Sequence, residues 1–141
     1  MKRKTKKKNR IKLTPFNKLT ADVHALVSKY VRLRDGKCVL CGSKENLTAG
    51  HWIKRGKKVV TYDLRNVNCL CRDCNFRDWK DSFYHDIYTQ WMNRKYGQEV
   101  CDELIAKVLA NQTYKFTRLE LENLKIALNC ELENLQLKNI Y

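Results

Sequence analysis

Two C-x-x-C pairs constrain this chain more than any other feature. Cys38 and Cys41 stand in "CVLC", Cys71 and Cys74 in "CRDC", with twenty-nine residues between the pairs. Each such turn aims two sulfurs at one point, and two turns together make a tetrahedral thiolate site with metal–sulfur distances of about 2.3 Å. The pattern predicts a structural Zn2+ ion on Cys38, Cys41, Cys71 and Cys74. The spacer exceeds that of an ordinary zinc ribbon, so it is expected to hold a structured insert. Cys69 is out of register with the turns; it, Cys101 and Cys130 are expected as small buried residues.

Seven cysteines is an odd number, and paired C-x-x-C turns in a reducing compartment favour metal over disulfides. No apolar run approaches the roughly 18–20 residues that span a bilayer. The basic N-terminus is not followed by a signal-peptide h-region. A soluble cytoplasmic protein is expected. The net charge is +14, from 29 Lys and Arg against 15 Asp and Glu. That excess favours an anionic polymer as partner, because neutralised phosphates release condensed counterions. Eight of the basic residues fall in residues 1–12, "MKRKTKKKNRIK", which contain no acid. Self-repulsion and the shortage of apolar groups predict a disordered phosphate-binding arm there.

Downstream, "TADVHALVSKYVRLR" repeats Val23, Leu26, Val27, Tyr30 and Val31 at helical spacing, with Thr20 as N-cap and "DG" at 35–36 as the stop. His24 lies in this helix without a partner of metal-binding type nearby. "LTAGHW" and "VVTYD" read as strands around a turn in "IKRGKK". The stretch from Arg72 to Gly97 reads as helical, with Trp79, Phe83, Tyr84, Ile87 and Trp91 as its core stripe. His85 and Asp81 are spaced as a surface pair. "QEVCDELIAKVLAN" is a further helix carrying Val100, Leu104 and Val108 on one face. "TRLELENLKIALNCELENLQLK" is the last, with a stripe of Leu121, Leu124, Leu128, Leu132 and Leu135 that packs on the domain or forms a dimer seam.

Taken alone, His51 in "NLTAGHWIKR" reads as a core ring, a metal ligand or a base. It lies in the insert with Asn66, while Asn75 directly follows the last cysteine pair. A hairpin and helix clamped at the base by zinc would bring the three together. That arrangement resembles the ββα-metal, or HNH, nucleases, with "AGHW", "RNVNCLC" and "CRDCN" at the three motif positions and Asn in place of the last His. The resemblance implies phosphodiester hydrolysis with His51 as general base, since a neutral imidazole accepts a proton from water. Asn75 would ligate a catalytic divalent ion, Mg2+ or Mn2+, through its amide oxygen. Asn66 would brace the loop and orient His51. Lys54, Arg55, Lys57 and Lys58 would hold backbone phosphates. Many such nucleases carry an acidic metal ligand before the histidine; here Gly50 stands there, and Asp63 is a possible substitute. Trp52 is expected in the core rather than stacked on a base.

A closer resemblance is to the Rap/NinG family of phage recombination endonucleases. Its order of elements matches "CVLC", "AGHWIKR", "DLRNVN", "CRDCN", "RKYG" and "TRLELENLK", and Gly before the histidine is the family's own pattern. The resemblance implies action on branched DNA such as Holliday junctions and D-loops, in the host cytoplasm. The expected fold class is α+β: a zinc-clamped ββα-metal (HNH) core with a preceding helix and two or three C-terminal helices. The expected layout is a basic arm over 1–14 and a single nuclease domain over 15–141, with a helical extension covering about 97–138. Two rival readings are a non-catalytic zinc-ribbon DNA-binding protein and a sequence-specific HNH endonuclease of restriction or homing type.

Overall fold

The computed structural model describes residues 13–140, so the basic arm expected over 1–14 lies outside the described residues except for Leu13 and Thr14. Five helices surround one small antiparallel sheet. In chain order these are α1 (Phe16–Asp35), β1 (Leu47–His51), β2 (Val67–Cys71), α2 (Arg72–Lys80), α3 (Ser82–Tyr96), α4 (Gln98–Ala110) and α5 (Arg118–Lys138). None of the described helices is long and apolar enough to cross a membrane.

The apolar stripe of α1 forms as its spacing predicts: Leu19, Val23, Val27 and Val31 are buried on one face. The helix begins earlier than expected, at Phe16, with Pro15 rather than Thr20 at the N-cap; the Thr20 hydroxyl bonds back to Phe16 O inside the first turn. It ends at Gly36, whose φ of +69° is the left-handed conformation that glycine adopts without a Cβ penalty. The α5 stripe lies against α1, where Leu121 and Leu128 join Val23, Val27, Tyr62 and Val67 in one cluster. A capping box, Thr117 with Glu120, starts α5.

The sheet lies between two helical layers. Residues paired across antiparallel strands share a face, and the register pairs His51 with Val67, Ala49 with Cys69, Gly50 with Asn68 and Thr48 with Leu70. The His51–Ala49–Val67 face is turned to α1. The Gly50–Leu70 face meets α3, where Tyr88 and Met92 form a second cluster with Leu70, Trp52, Cys101 and Leu104. Every residue of β2 is buried, because both faces are covered.

Two readings of the sequence are corrected here. The second strand is "VNCLC", not "VVTYD". Residues 59–63 form turns instead of a ladder: Val60 N donates to Lys57 O, Thr61 N to Lys58 O and Asp63 N to Val60 O, and Asn66 Nδ2 also donates to Val60 O. A 3-10 turn, Lys58–Val60, replaces the strand and drives Val60 into one cluster while Tyr62 enters the other. The helical stretch after Cys71 is also two helices. Asp81 leaves helical geometry (φ −133°, ψ 121°), and its carboxylate caps α3 by accepting from Phe83 N at 2.9 Å.

Candidate functional site

His51 closes β1. Its Nε2 lies 2.9 Å from Thr61 O; a carbonyl only accepts, so Nε2 carries the proton and Nδ1 is the basic nitrogen. Burial lowers its pKa to about 4; the Thr61 carbonyl opposes that shift, while Arg55, His24 and Lys54 add to it. At neutral pH the ring is therefore uncharged. It lines a cavity of about 290 Å3 with His24, Ser28, Ala49 and Arg55.

His24 has a structural place that its sequence context did not suggest. Its Nε2 sits 3.2 Å from Arg55 Nη2 and 3.1 Å from Tyr62 Oη. Arginine only donates, so His24 accepts and holds the guanidinium beside the cavity. Burial, then Arg55 and Lys58, lower its pKa to about 4. The available sequence signal was its position beside Val23 and three residues before Val27, at the edge of the buried stripe.

Asn66 is wholly buried and closes the loop of residues 52–65. Its Oδ1 accepts from Ile53 N at 2.8 Å, and its Nδ2 donates to Ile53 O and Val60 O at 3.0 and 3.1 Å. Trp52 N donates to Asn66 O at 2.9 Å. The asparagine thus fixes the loop that carries Thr61, the partner of His51. Trp52 itself is buried, its Nε1 donating to Thr89 Oγ1.

Asn75 lies in the first turns of α2, where its Nδ2 donates to Thr48 Oγ1 of β1 at 3.2 Å. Thr48 and His51 stand three residues apart on β1. Asn75 Oδ1 takes no hydrogen bond among the described residues. Asp63 turns towards α4, where Arg65 holds its carboxylate at 2.8 and 3.0 Å and Lys107 lies 3.8 Å away. Position 50 leaves no room for an acidic side chain: a Cβ there would come within 2.4 Å of Leu70 Cδ1. Gly50 O also accepts from the buried Tyr88 hydroxyl. The described residues therefore assemble no carboxylate ligand set for a catalytic divalent ion, and Asn75 Oδ1 is the sole expected ligand atom left uncommitted among them.

Arg55, Lys57 and Lys58 are exposed around the His51 loop. Lys54 differs, because its ammonium pairs with the fully buried carboxylate of Asp78. Asp78 also accepts from His85 Nδ1 at 2.9 Å, which makes Asp78 rather than Asp81 the side-chain partner of that histidine. A larger network, invisible in the sequence, joins the end of α1 to the sheet. Arg34 reaches Asp35, Leu64 O, Val67 O and Asn68 Oδ1, and Asp35 accepts from Cys69 N.

The four cysteines of the two C-x-x-C turns converge, with all four sulfurs within 4.8 Å of one another. Cys41 Sγ and Cys71 Sγ are 3.7 Å apart. A tetrahedral zinc–thiolate site has sulfur–sulfur edges of about 3.8 Å, so donor set and spacing both fit zinc. Gly42, at φ +78°, closes the first turn by donating to Cys38 O, and Cys74 N donates to Cys71 Sγ. Burial works against the Cys38 thiolate, but backbone groups of Cys41, Cys71 and Leu40 outweigh it and bring the thiol down to about 7. Cys69 and Cys101 are buried as expected, whereas Cys130 is exposed on the outer side of α5.

No curated protein and no solved structure matches the chain. Residues 1–138 match the family described as Bacteriophage Lambda NinG protein, and the chain belongs to that NinG family of phage proteins.

Proposed function

We propose that this protein is an HNH-type, metal-dependent DNA endonuclease that hydrolyses phosphodiester bonds in branched recombination intermediates. The observation that carries the reading is the state of His51. Its Nε2 is committed to Thr61 O, which leaves Nδ1 as the free ring nitrogen, and the ring lines a cavity beside Arg55. A general base needs a free ring nitrogen within reach of the attacking water. Arg55 at the cavity wall, together with Lys57 and Lys58 on the same loop, supplies the positive charge that a phosphodiester requires.

In this reading Nδ1 removes the proton from the attacking water, and Arg55, held by His24, takes a phosphate oxygen. The four cysteines and Asn66 keep strand, loop and helix in register while this happens. The Mg2+ or Mn2+ requirement follows from the resemblance to HNH nucleases. Membership of the NinG family supports a role in phage recombination.

The test is nicking of plasmid and cleavage of a four-way junction in Mg2+ or Mn2+, with EDTA as control. The wild-type chain is expected to cut, and His51→Ala to lose at least about 100-fold of the rate while still binding DNA. A His51→Ala protein that cuts at the wild-type rate removes this assignment. Cleavage of linear duplexes at fixed sequences, with no preference for junctions, would favour a restriction or homing type of enzyme.

One observation favours a second reading, a non-catalytic zinc-bearing DNA-binding protein. Among the described residues the four cysteines are the one cluster of three or more metal-ligating His, Cys, Asp or Glu groups. DNA binding with no metal-dependent nicking would select that reading.

A further inference from the structure

The stripe expected to be core in α2 and α3 is not core throughout. Phe76 is 59% exposed, Trp79 67% and Phe83 64%, in a protein whose other two tryptophans are buried or partly buried. Phe76 and Trp79 are one helical turn apart, and Phe83 begins the next helix just beyond Asp81. Lys80 Nζ lies 5.3 Å from the Phe76 ring centre and 5.4 Å from that of Trp79. Arg72 and Arg77, both exposed, flank the rings on the same helix. Of the nearby acids, Asp81 caps α3, Asp73 lies in the first turn of α2, and Asp86 is exposed one turn beyond Phe83.

Three large rings on the solvent side of two short helices contribute nothing to either core cluster. Exposed rings interleaved with cations are the pattern by which proteins bind single-stranded nucleic acid, bases stacking on rings while Lys and Arg follow the phosphates. A partner that is apolar alone would not match Arg72, Arg77 and Lys80, and an acidic protein surface would leave the rings without stacking partners.

We infer that the outer face of α2 and the start of α3 is a stacking platform for unpaired bases of DNA, with Phe76, Trp79 and Phe83 as the rings. The inference rests on the DNA reading above and adds to it which form of DNA is held: the unpaired nucleotides at a branch rather than the duplex arms. None of the three rings lines the His51 cavity, so the platform binds substrate without taking part in proton transfer.

The experiment compares the full chain with the Phe76→Ala/Trp79→Ala double variant and with Trp79→Phe. Binding of an oligothymidine and of a blunt duplex of equal length is measured by fluorescence anisotropy, with tryptophan emission recorded in parallel. Because both side chains are exposed, the variants are expected to keep the wild-type melting temperature. The double variant is expected to lose about tenfold or more in oligothymidine affinity and to stay within about twofold on the duplex. Trp79→Phe keeps a ring and is expected to retain most of the affinity. Oligothymidine should quench tryptophan emission in the wild type and not in the double variant.

Equal weakening on both DNAs, or an unchanged oligothymidine affinity, overturns the platform. A double variant that falls to a smaller oligomer in sedimentation marks the patch as a protein–protein seam, which also overturns it. Wild-type binding to the duplex but not to oligothymidine removes the platform and leaves the DNA reading standing. Binding to neither removes both.

Discussion

At the scale of single residues, position 50 is decided by volume. Gly50 sits in β1 with Leu70 leaning across it, and Leu70 is wholly buried. Gly50→Ala is expected to cost about 1–3 kcal/mol by overpacking, read as a drop in denaturant midpoint; an unchanged midpoint would mean that the sheet yields easily. Asn66 is decided by hydrogen bonding. Removing its amide leaves Ile53 N, Ile53 O and Val60 O without that partner inside the fold. Asn66→Ala is expected to cost about 2–4 kcal/mol and to release the loop that presents Thr61 to His51. Hydrogen exchange across residues 52–66 would report that release directly, and full protection there would contradict the role given to Asn66.

At the scale of elements, the cysteine turns act as the clamp between β2, α2 and the segment after α1. Cys38 N donates to Ser43 O and Val39 N to Cys69 O, so the first turn is already tied to the sheet by backbone bonds. The second turn spans the junction where β2 becomes α2, with Cys71 as the helix N-cap. A metal bound there contributes folding free energy directly, because the unfolded chain holds no preformed site. Cys74→Ser is expected to lower zinc content, measured by atomic absorption, from one ion per chain towards none, and to lower the melting temperature with it. A variant that is zinc-free and as stable as the wild type would show that the thiolates are dispensable to the fold. The break at Asp81 belongs to this scale too, since it turns α3 inwards and leaves Trp79 and Phe83 facing solvent.

At the scale of the molecule, the sheet is the middle layer and its two faces are specialised. The α1 side holds His24, His51 and Arg55; the α3 side holds Tyr88, Met92, Asn68 and the glycine that lets them close. Burying both histidines makes stability depend on pH in a defined window. Their folded values near 4 lie below the ordinary value of 6.5, so between those limits the unfolded chain binds more protons than the folded one. Stability from this source is fully present above pH 6.5 and is lost as pH falls towards 4. The depressed carboxylates of Asp63 and Asp78 act in the same direction but below their ordinary value of 3.8. Melting temperatures of the wild type are thus expected to fall between pH 6.5 and pH 4, and His24→Gln/His51→Gln to flatten that fall. An equally steep fall in the double variant would place the titration elsewhere.

The sequence by itself determined what is carried by local spacing. Paired cysteines, the stripes of α1 and α5, and Gly36 and Gly97 as helix stops are all patterns within short windows. Their physics is short in range: two sulfurs per turn, one buried face per helix, one left-handed residue per end. Tertiary structure alone decided which apolar run becomes the second strand: "VNCLC" pairs with β1, while the backbone of "VVTYD" is taken up in turn bonds and by Asn66. It also decided that Trp79 and Phe83 stay outside, since helical periodicity defines a stripe but not whether another element covers it. His24 beside Arg55, Asp78 between Lys54 and His85, and Asn75 bonded to Thr48 arise from contacts across the folded chain. No spacing rule within a window encodes such contacts, because they exist only once α1 and α3 close on opposite faces of the sheet.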